Sequence, residues 1–301
     1  MKKKDYNMAE HGFVGHLAIP DNGAKRAVIV IMGGEQSLLP GTMIAARFAD
    51  YGFCGLAVSL FGAEGLPEGV DRVPLEMFRP AVKLLKDLGM EKISIYGMSM
   101  GSIFAALVAQ HIGGIDNIIM CSPSHVPFEG TVDKKQMSGH SIATLGGEDI
   151  PFVKPDFSCG NIAGYVYDKR SGRKVTRMWC AFRDAYDDKE REAAAKLHLE
   201  KTGARILLIA GGSDEDWDSE YSVNFIKNSL DEAGYDKDYK MLVYPHASHL
   251  IGMMPNRKRH PWLYRALPVI SIFYRAFLHN RKACLKAFED SEKEIINWLK
   301  A

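Results

Sequence analysis

The 301-residue chain predicts an α/β protein: a doubly wound, mostly parallel sheet carrying a lid-like insertion. Three observations predict it. From Ala27 to Cys121, apolar strand-like runs alternate with helical segments, and the connections are short. The first run, Ala27-Val28-Ile29-Val30-Ile31-Met32, is apolar throughout, as a strand buried on both faces requires. The alternation lapses over about 123–204 and resumes at Arg205, so one sheet is interrupted rather than ended.

Each element has its own signal. Gly12 to Ile19 is strand-like, and Asp21-Asn22-Gly23 is a turn, so this segment reads as a hairpin with the Ala27 run. Gly33-Gly34 ends that run, and a helix follows from about Thr42 to Tyr51. Phe53 to Leu60 is a strand, and Phe61 to Pro74 a Gly/Pro-rich loop. Leu75 to Leu88 has helical periodicity and closes at Gly89. Lys92 to Tyr96 is a strand, Ser102 to His111 a helix, and Asn117 to Cys121 a strand. Ser122 to Lys174 is rich in Gly, Pro, Ser and Asp and has no period. Arg183 to Thr202 reads as one charged, alanine-rich helix. Arg205 to Ala210 is a strand, a helix spans about Ser219 to Ala233, Lys240 to Tyr244 is a strand, and Lys282 to Leu299 is the last helix. We therefore expect a single domain over 1–301, with the insertion lying over the carboxyl edge of the sheet, where such sheets bind ligands.

Composition excludes several classes of function. At 47% hydrophobic and 25% charged, the chain has the apolar mass for a full core. Its net charge is +1, which gives no sign of a nucleic-acid partner. Cys54, Cys121, Cys159, Cys180 and Cys284 are scattered and odd in number, the pattern of a reducing compartment rather than of a disulfide framework or zinc site. Met1 to Glu10 is basic but has no apolar stretch behind it, unlike a signal peptide. The nearest candidate for a membrane span, Leu267 to Leu278, is too short and holds Arg275. The expectation is a soluble, cytoplasmic protein.

The chemistry begins at Gly97-Met98-Ser99-Met100-Gly101, one step past an apolar strand and just ahead of a helix. That context lets a serine serve as a nucleophile on a strained turn, with glycines where side chains would collide with strand and helix. The following helix aims its N–H groups and dipole at developing negative charge, and Met100 N–H would be one oxyanion donor. The same pattern also serves an ordinary strand-to-helix turn with a capping serine. What decides is the order of the remaining groups: a nucleophilic serine needs an acid and then a histidine, each on a loop after a later strand. Gly211-Gly212-Ser213-Asp214-Glu215-Asp216-Trp217-Asp218-Ser219 follows one such strand, and Pro245-His246-Ala247-Ser248-His249-Leu250 another. Within the first loop, Asp214 is nearest the strand end, while Asp218 or Ser219 is placed to cap the next helix. In the second, His249 lies further round the loop than His246, which reads as a solvated or supporting residue. No carboxylate or cysteine sits at metal-ligand spacing from this pair.

The second oxyanion donor should come from the loop after the Ala27 run: Glu35 N–H, with Gly34 as the alternative. These glycines match neither a dinucleotide fingerprint nor a phosphate-binding loop, so no cofactor is expected.

Taken together, these pieces resemble the C-terminal catalytic domain shared by acyl-CoA thioesterases and bile acid-CoA:amino acid N-acyltransferases, an α/β-hydrolase fold. The likeness runs through most of Val28 to Ile251. It is carried by the double glycine within Ile29 to Leu39, by Tyr51-Gly52-Phe53, by Ile95 to Ser102, by Ser122-Pro123-Ser124, by Gly211 to Ser219 with its tryptophan, and by Tyr244 to Ile251. It implies Ser99 as nucleophile, Asp214 as acid, three residues before the loop tryptophan, and His249 as base. In that family serine marks the thioesterases and cysteine the amino acid transferases, so Ser99 implies hydrolysis of an acyl thioester. A carboxylesterase acting on neutral esters or amides, or an N-acyltransferase using an acyl-CoA donor, is the alternative. Glu35 and Gln36 stand where the family tends to have glycines, and a carboxylate there would disfavour an anionic substrate. The insertion after Pro123 is longer than the family's. About 25 residues precede the first core strand, too few for the N-terminal β-sandwich of animal members.

One further stretch bears on the substrate. Leu250 to Phe288 has no acidic residue, and it interleaves Arg257, Lys258, Arg259, Arg265, Arg275, Arg281, Lys282 and Lys286 with Trp262, Tyr264, Phe273, Tyr274 and Phe277. It could offer charge to CoA phosphates or to a membrane surface. It could equally be a helix pair packing its aromatics inward while its cations snorkel. The expected partner is a small acyl thioester or ester, with peripheral membrane contact open.

Overall fold

A computed structural model describes residues 1–132, 136–156, 165–169, 172–270 and 274–301. Cys159 and Phe273 lie outside the described residues, as do parts of the insertion. The body is an eight-stranded sheet with helices on both faces. Its strands are β1 (Lys2–Tyr6), β2 (Gly15–Ile19), β3 (Arg26–Ile31), β4 (Cys54–Val58), β5 (Lys92–Met98), β6 (Asn117–Cys121), β7 (Arg205–Gly211) and β8 (Tyr239–Tyr244). Their order across the sheet is β1-β2-β4-β3-β5-β6-β7-β8. All neighbours from β4 to β8 run parallel, while β2 is antiparallel to both β1 and β4. This is the α/β-hydrolase fold.

The apolar run at β3 does what its composition requires. Ala27, Ile29 and Ile31 face one core cluster and Val28 and Val30 the other, and all five are fully buried. At about 1.5–3 kcal/mol for each fully buried large aliphatic side chain, the strand is held from both sides. One face is covered by α2 (Phe78–Asp87), α3 (Met100–His111) and a helix over Ser219–Glu232. The other is covered by α1 (Leu39–Asp50) and the last helix, Arg281–Lys300.

Two expectations are corrected. Gly15–Ile19 and the β3 run are not a hairpin. The Asp21-Asn22-Gly23 turn forms, with Gly23 at φ +78° donating to Pro20 O, but the chain then passes over β4. Both edges of β3 are taken by parallel partners, so β2 pairs with β4 instead, and the hairpin is β1 with β2. The second correction is the helix expected from Arg183 to Thr202. It is broken into Arg177–Asp184, Lys189–Ala195 and a 3-10 turn at Leu199–Lys201. Asp188 restarts the helix as a cap, accepting from Arg191 N at 3.0 Å, and Glu192 is drawn inward to the buried His125 at 3.0 Å.

The described part of the insertion packs into the core rather than standing apart from it. Val126, Phe128, Ile142, Ala143 and Val153 are buried in the same cluster as α3. Phe128, tilted, and Phe182, edge-on, pack against Trp217 of the acid loop, with ring centroids 5.5 and 5.3 Å away. Among the described residues, no helix is long and apolar enough to cross a membrane.

The last helix is tied to α1 by one carboxylate. Glu292 Oε1 accepts from Arg47 Nε at 3.0 Å and from Tyr51 Oη at 2.5 Å, and its Oε2 accepts from Met254 N at 3.4 Å. Removing it strands two half-buried donors and frees the segment that follows His249. Glu292→Ala should therefore lower the unfolding free energy by about 2 kcal/mol in urea titrations, with Glu292→Gln losing less. An unchanged midpoint for Glu292→Ala would show that the helix is held by packing alone.

Candidate active site

The site is assembled at the carboxyl ends of five neighbouring strands, β3 and β5 to β8. Ser99 sits between β5 and α3 at φ 56°, ψ −129°, in the left-handed half of the backbone map that a non-glycine residue enters only under constraint. The constraint is visible. Ser99 N donates to Cys121 O at 2.9 Å, and Ser99 O accepts from Ser102 N and Oγ at 2.9 and 2.6 Å. A Cβ at Gly97 would come within 2.2 Å of Gly101 O, and one at Gly101 within 2.3 Å of the carbonyls of Ile31 and Met32. The flanking glycines thus let α3 press against β5 and the end of β3, and that contact holds the serine up.

Ser99, His249 and Asp214 are brought together. His249 Nε2 lies 2.8 Å from Ser99 Oγ, and its Nδ1 lies 3.0 and 2.9 Å from the two Asp214 oxygens. Asp214 is aimed by its own loop: Oδ1 accepts from Asp216 N at 2.9 Å and Trp217 N at 3.3 Å. Both His249 and Asp214 are buried. Asp218 caps the next helix, accepting from Tyr221 N at 3.0 Å. His246 is exposed and outside the chain of hydrogen bonds.

Several contributors were not singled out by sequence. Ser122, after β6 and also at positive φ (45°), donates its Oγ to His249 O at 2.6 Å. Trp217 Nε1 donates to Ser122 O at 3.1 Å and presents its ring edge-on to the imidazole, 5.0 Å away. Asp216 Oδ2 lies 3.3 Å from His249 Nε2, on the same nitrogen as Ser99. The Tyr274 hydroxyl hydrogen-bonds Asp216. Glu215 Oε2 accepts from Ala276 N at 3.2 Å, fastening the segment after residue 273 to the acid loop. The tryptophan and serine stand in the segments that carry the family likeness, so that likeness was the available signal. Asp216 had none beyond being acidic.

The electrostatics are strongly negative. Burial disfavours a charged His249, but Asp214, Asp216 and Glu35 outweigh it and push the imidazole up to about 9. Burial raises the Asp216 carboxyl above its ordinary value and takes Glu215 up to about 7.

At the expected oxyanion loop, the Glu35 carboxylate folds back to accept from the backbone N–H groups of Gly33 and of Glu35 itself. The space beside Gly33, Glu35, Ser59 and Phe61 is about 20 Å³, room for about one water. Gly34 is exposed. Met100 opens α3, so its N–H belongs to the first turn, which has no partner within the helix.

Arg257, Lys258 and Arg259 are not brought to Ser99. Arg257 lies over the Tyr264 ring, 5.5 Å from its centroid, Arg259 pairs with Asp50 at 2.5 Å, and Lys258 N donates to Asn256 Oδ1. Arg257 also lines a separate groove of about 400 Å³ with Arg47, Tyr51, Tyr264 and Phe288, which none of Ser99, Asp214 or His249 lines.

Comparison with known proteins places the chain in a family. The chain is 24% identical over 238 residues to human acyl-coenzyme A thioesterase 6, covering 77% of this chain and 50% of that protein. It is 24% identical over 236 residues to the mouse peroxisomal succinyl-coenzyme A thioesterase, with the same coverage. The chain thus spans about half the length of the curated relatives it matches. A crystal structure assigned as a dienelactone hydrolase from Klebsiella pneumoniae shares the fold, with a TM-score of 0.54 at 14% identity over 99% of this chain and 98% of that one. Residues 73–260 match the family described as BAAT / acyl-CoA thioester hydrolase C terminal. The chain belongs to that family.

Proposed function

We propose that the chain is a serine hydrolase that cleaves acyl thioesters of the acyl-CoA type through an acyl-enzyme. The observation that carries this reading is the continuous hydrogen-bonded chain from Ser99 Oγ through His249 to Asp214, mounted on a strained turn. His249 Nε2 takes the Ser99 proton as Oγ attacks the carbonyl carbon. Asp214 holds the imidazole by Nδ1 and stabilises its cation. Met100 N–H is one donor to the oxyanion, and the Gly34/Glu35 loop supplies the second once the Glu35 carboxylate has turned off its own N–H. Water, activated by the same histidine, then releases the acid. Family membership and the thioesterase relatives support the thioester over other acyl donors, and a serine nucleophile supports water as the acceptor.

Thiol release from a panel of acyl-CoAs, set beside neutral esters of the same acids, tests the substrate class. Acyl-CoAs should be turned over, and Ser99→Ala should lose activity by about 10⁴-fold or more while keeping its fold by circular dichroism. Labelling by a fluorophosphonate probe should vanish in the same variant. Turnover of esters alone, or amide products when glycine or taurine is added, would point to the esterase or the transferase instead.

The pH profile follows from His249. Its base form exists only above the raised value, so log kcat/KM should climb by about one unit per pH unit below pH 9 and level off above it. A plateau already reached at pH 7 would show that the imidazole is neutral in the free enzyme.

A further inference from the structure

Asp216 is in an unusual place for a carboxylate beside a serine–histidine pair. In a neutral imidazole whose Nδ1–H is given to Asp214, Nε2 carries a lone pair. Asp216 Oδ2 lies 3.3 Å from that nitrogen, beside the 2.8 Å hydrogen bond between Nε2 and Ser99 Oγ, so a carboxylate flanks the place where the serine proton arrives. A carboxylate oxygen is therefore within reach of Nε2 at the moment that nitrogen takes the proton of Ser99. Asp216 is anchored to this position. Its backbone N–H is fixed by Asp214 Oδ1 at 2.9 Å, and the Tyr274 hydroxyl holds its carboxyl group. Its side chain is 19% exposed, against 2% for His249, so it is the member of the pair with a path to solvent.

We propose that Asp216 is a further catalytic residue: it carries the proton away from His249 Nε2 while the leaving group departs unprotonated, and so selects thioesters over oxygen esters and amides of the same acyl group. This rests on the serine-hydrolase reading above. In acylation the Oγ–C bond forms and the C–S bond breaks, its electron pair leaving on sulfur. The serine proton passes to Nε2, then to Asp216 Oδ2, then to solvent. In deacylation, water forms the new bond to the carbonyl carbon and its proton returns through Nε2 to Ser99 Oγ as the C–Oγ bond breaks. The sum is thioester plus water giving acid, thiolate and a proton.

The selectivity follows from leaving-group chemistry. A thiol has a pKa of about 8.5, so thiolate leaves without help. An alkoxide, whose parent alcohol is about as weak an acid as water at about 15.7, needs a proton from the imidazolium. Asp216, Asp214 and Glu35 all face His249 and disfavour its giving that proton to a leaving group, with the Trp217 ring against the imidazole and Tyr274 behind Asp216. An imidazolium held this firmly is a weak general acid.

The test compares S-butyryl-N-acetylcysteamine with O-butyryl-N-acetylethanolamine, which differ only in sulfur for oxygen, in wild type, Asp216→Asn and Asp216→Glu. Asp216→Asn should cut the thioester-to-ester ratio of kcat/KM by about tenfold or more and move the acid limb of the pH profile down; Asp216→Glu should restore both in part. A variant-free arm uses butyryl esters of a series of thiophenols in wild type, whose kcat/KM should fall steeply as the thiol pKa rises. An unchanged ratio and acid limb in Asp216→Asn, or a flat leaving-group series in wild type, overturns the proposal while leaving the serine reading intact. Activity that survives in Ser99→Ala overturns the serine reading, and this proposal with it.

Discussion

The site depends on one close approach: α3 packs against β5 and the carboxyl end of β3 at a distance that Gly97 and Gly101 alone make possible. Side-chain carbons at either position would sit inside backbone atoms. Because the helix is pinned there by nine buried residues of its own, the turn between strand and helix has no slack, and Ser99 is held at a positive φ. The strain is local and the packing that maintains it is global, which is why a serine held in this conformation needs a large sheet behind it.

The other groups reach the serine because the parallel strands end side by side. β7 and β8 pair in register through Gly211 and Tyr244, so the loops that follow them start level and fold over the end of β6. Ser122 and Trp217 then tie those loops together by hydrogen bonds to each other and to His249. The result is a crowded electrostatic arrangement, with Asp214, Asp216 and Glu35 around one imidazole. Burial raises the proton affinity of the Asp216 and Glu35 carboxyls, and the three carboxylates together raise that of the histidine between them. Proton inventory, more than shape, sets this site apart from a bare serine–histidine–aspartate chain.

Much of this was legible in the sequence. The alternation from Ala27 to Cys121 identifies a parallel sheet because a strand buried on both faces must be apolar at every position. The serine, the acid loop and the histidine loop can be read because each directly follows such a run. What could not be read depends on non-local partners. The β2 segment pairs with β4 rather than with the strand after its turn, because β3 already has neighbours on both edges. The alanine-rich segment after Arg183 has helical propensity throughout, yet Asp188 and the pull of His125 on Glu192 divide it. The contact of Asp216 with His249 depends on a two-residue step in a loop whose course is set by Asp214 gripping the backbone N–H groups of Asp216 and Trp217. No local pattern encodes that course.

The central claim, that Ser99 carries the acyl group, has a direct measurement. Intact-protein mass spectrometry of samples quenched in acid within milliseconds of mixing with an acyl-CoA should show an added mass equal to the acyl group. Peptide mapping should place it on Ser99, and it should disappear on continued incubation. Turnover without any such adduct, or an adduct on another residue, would contradict the account.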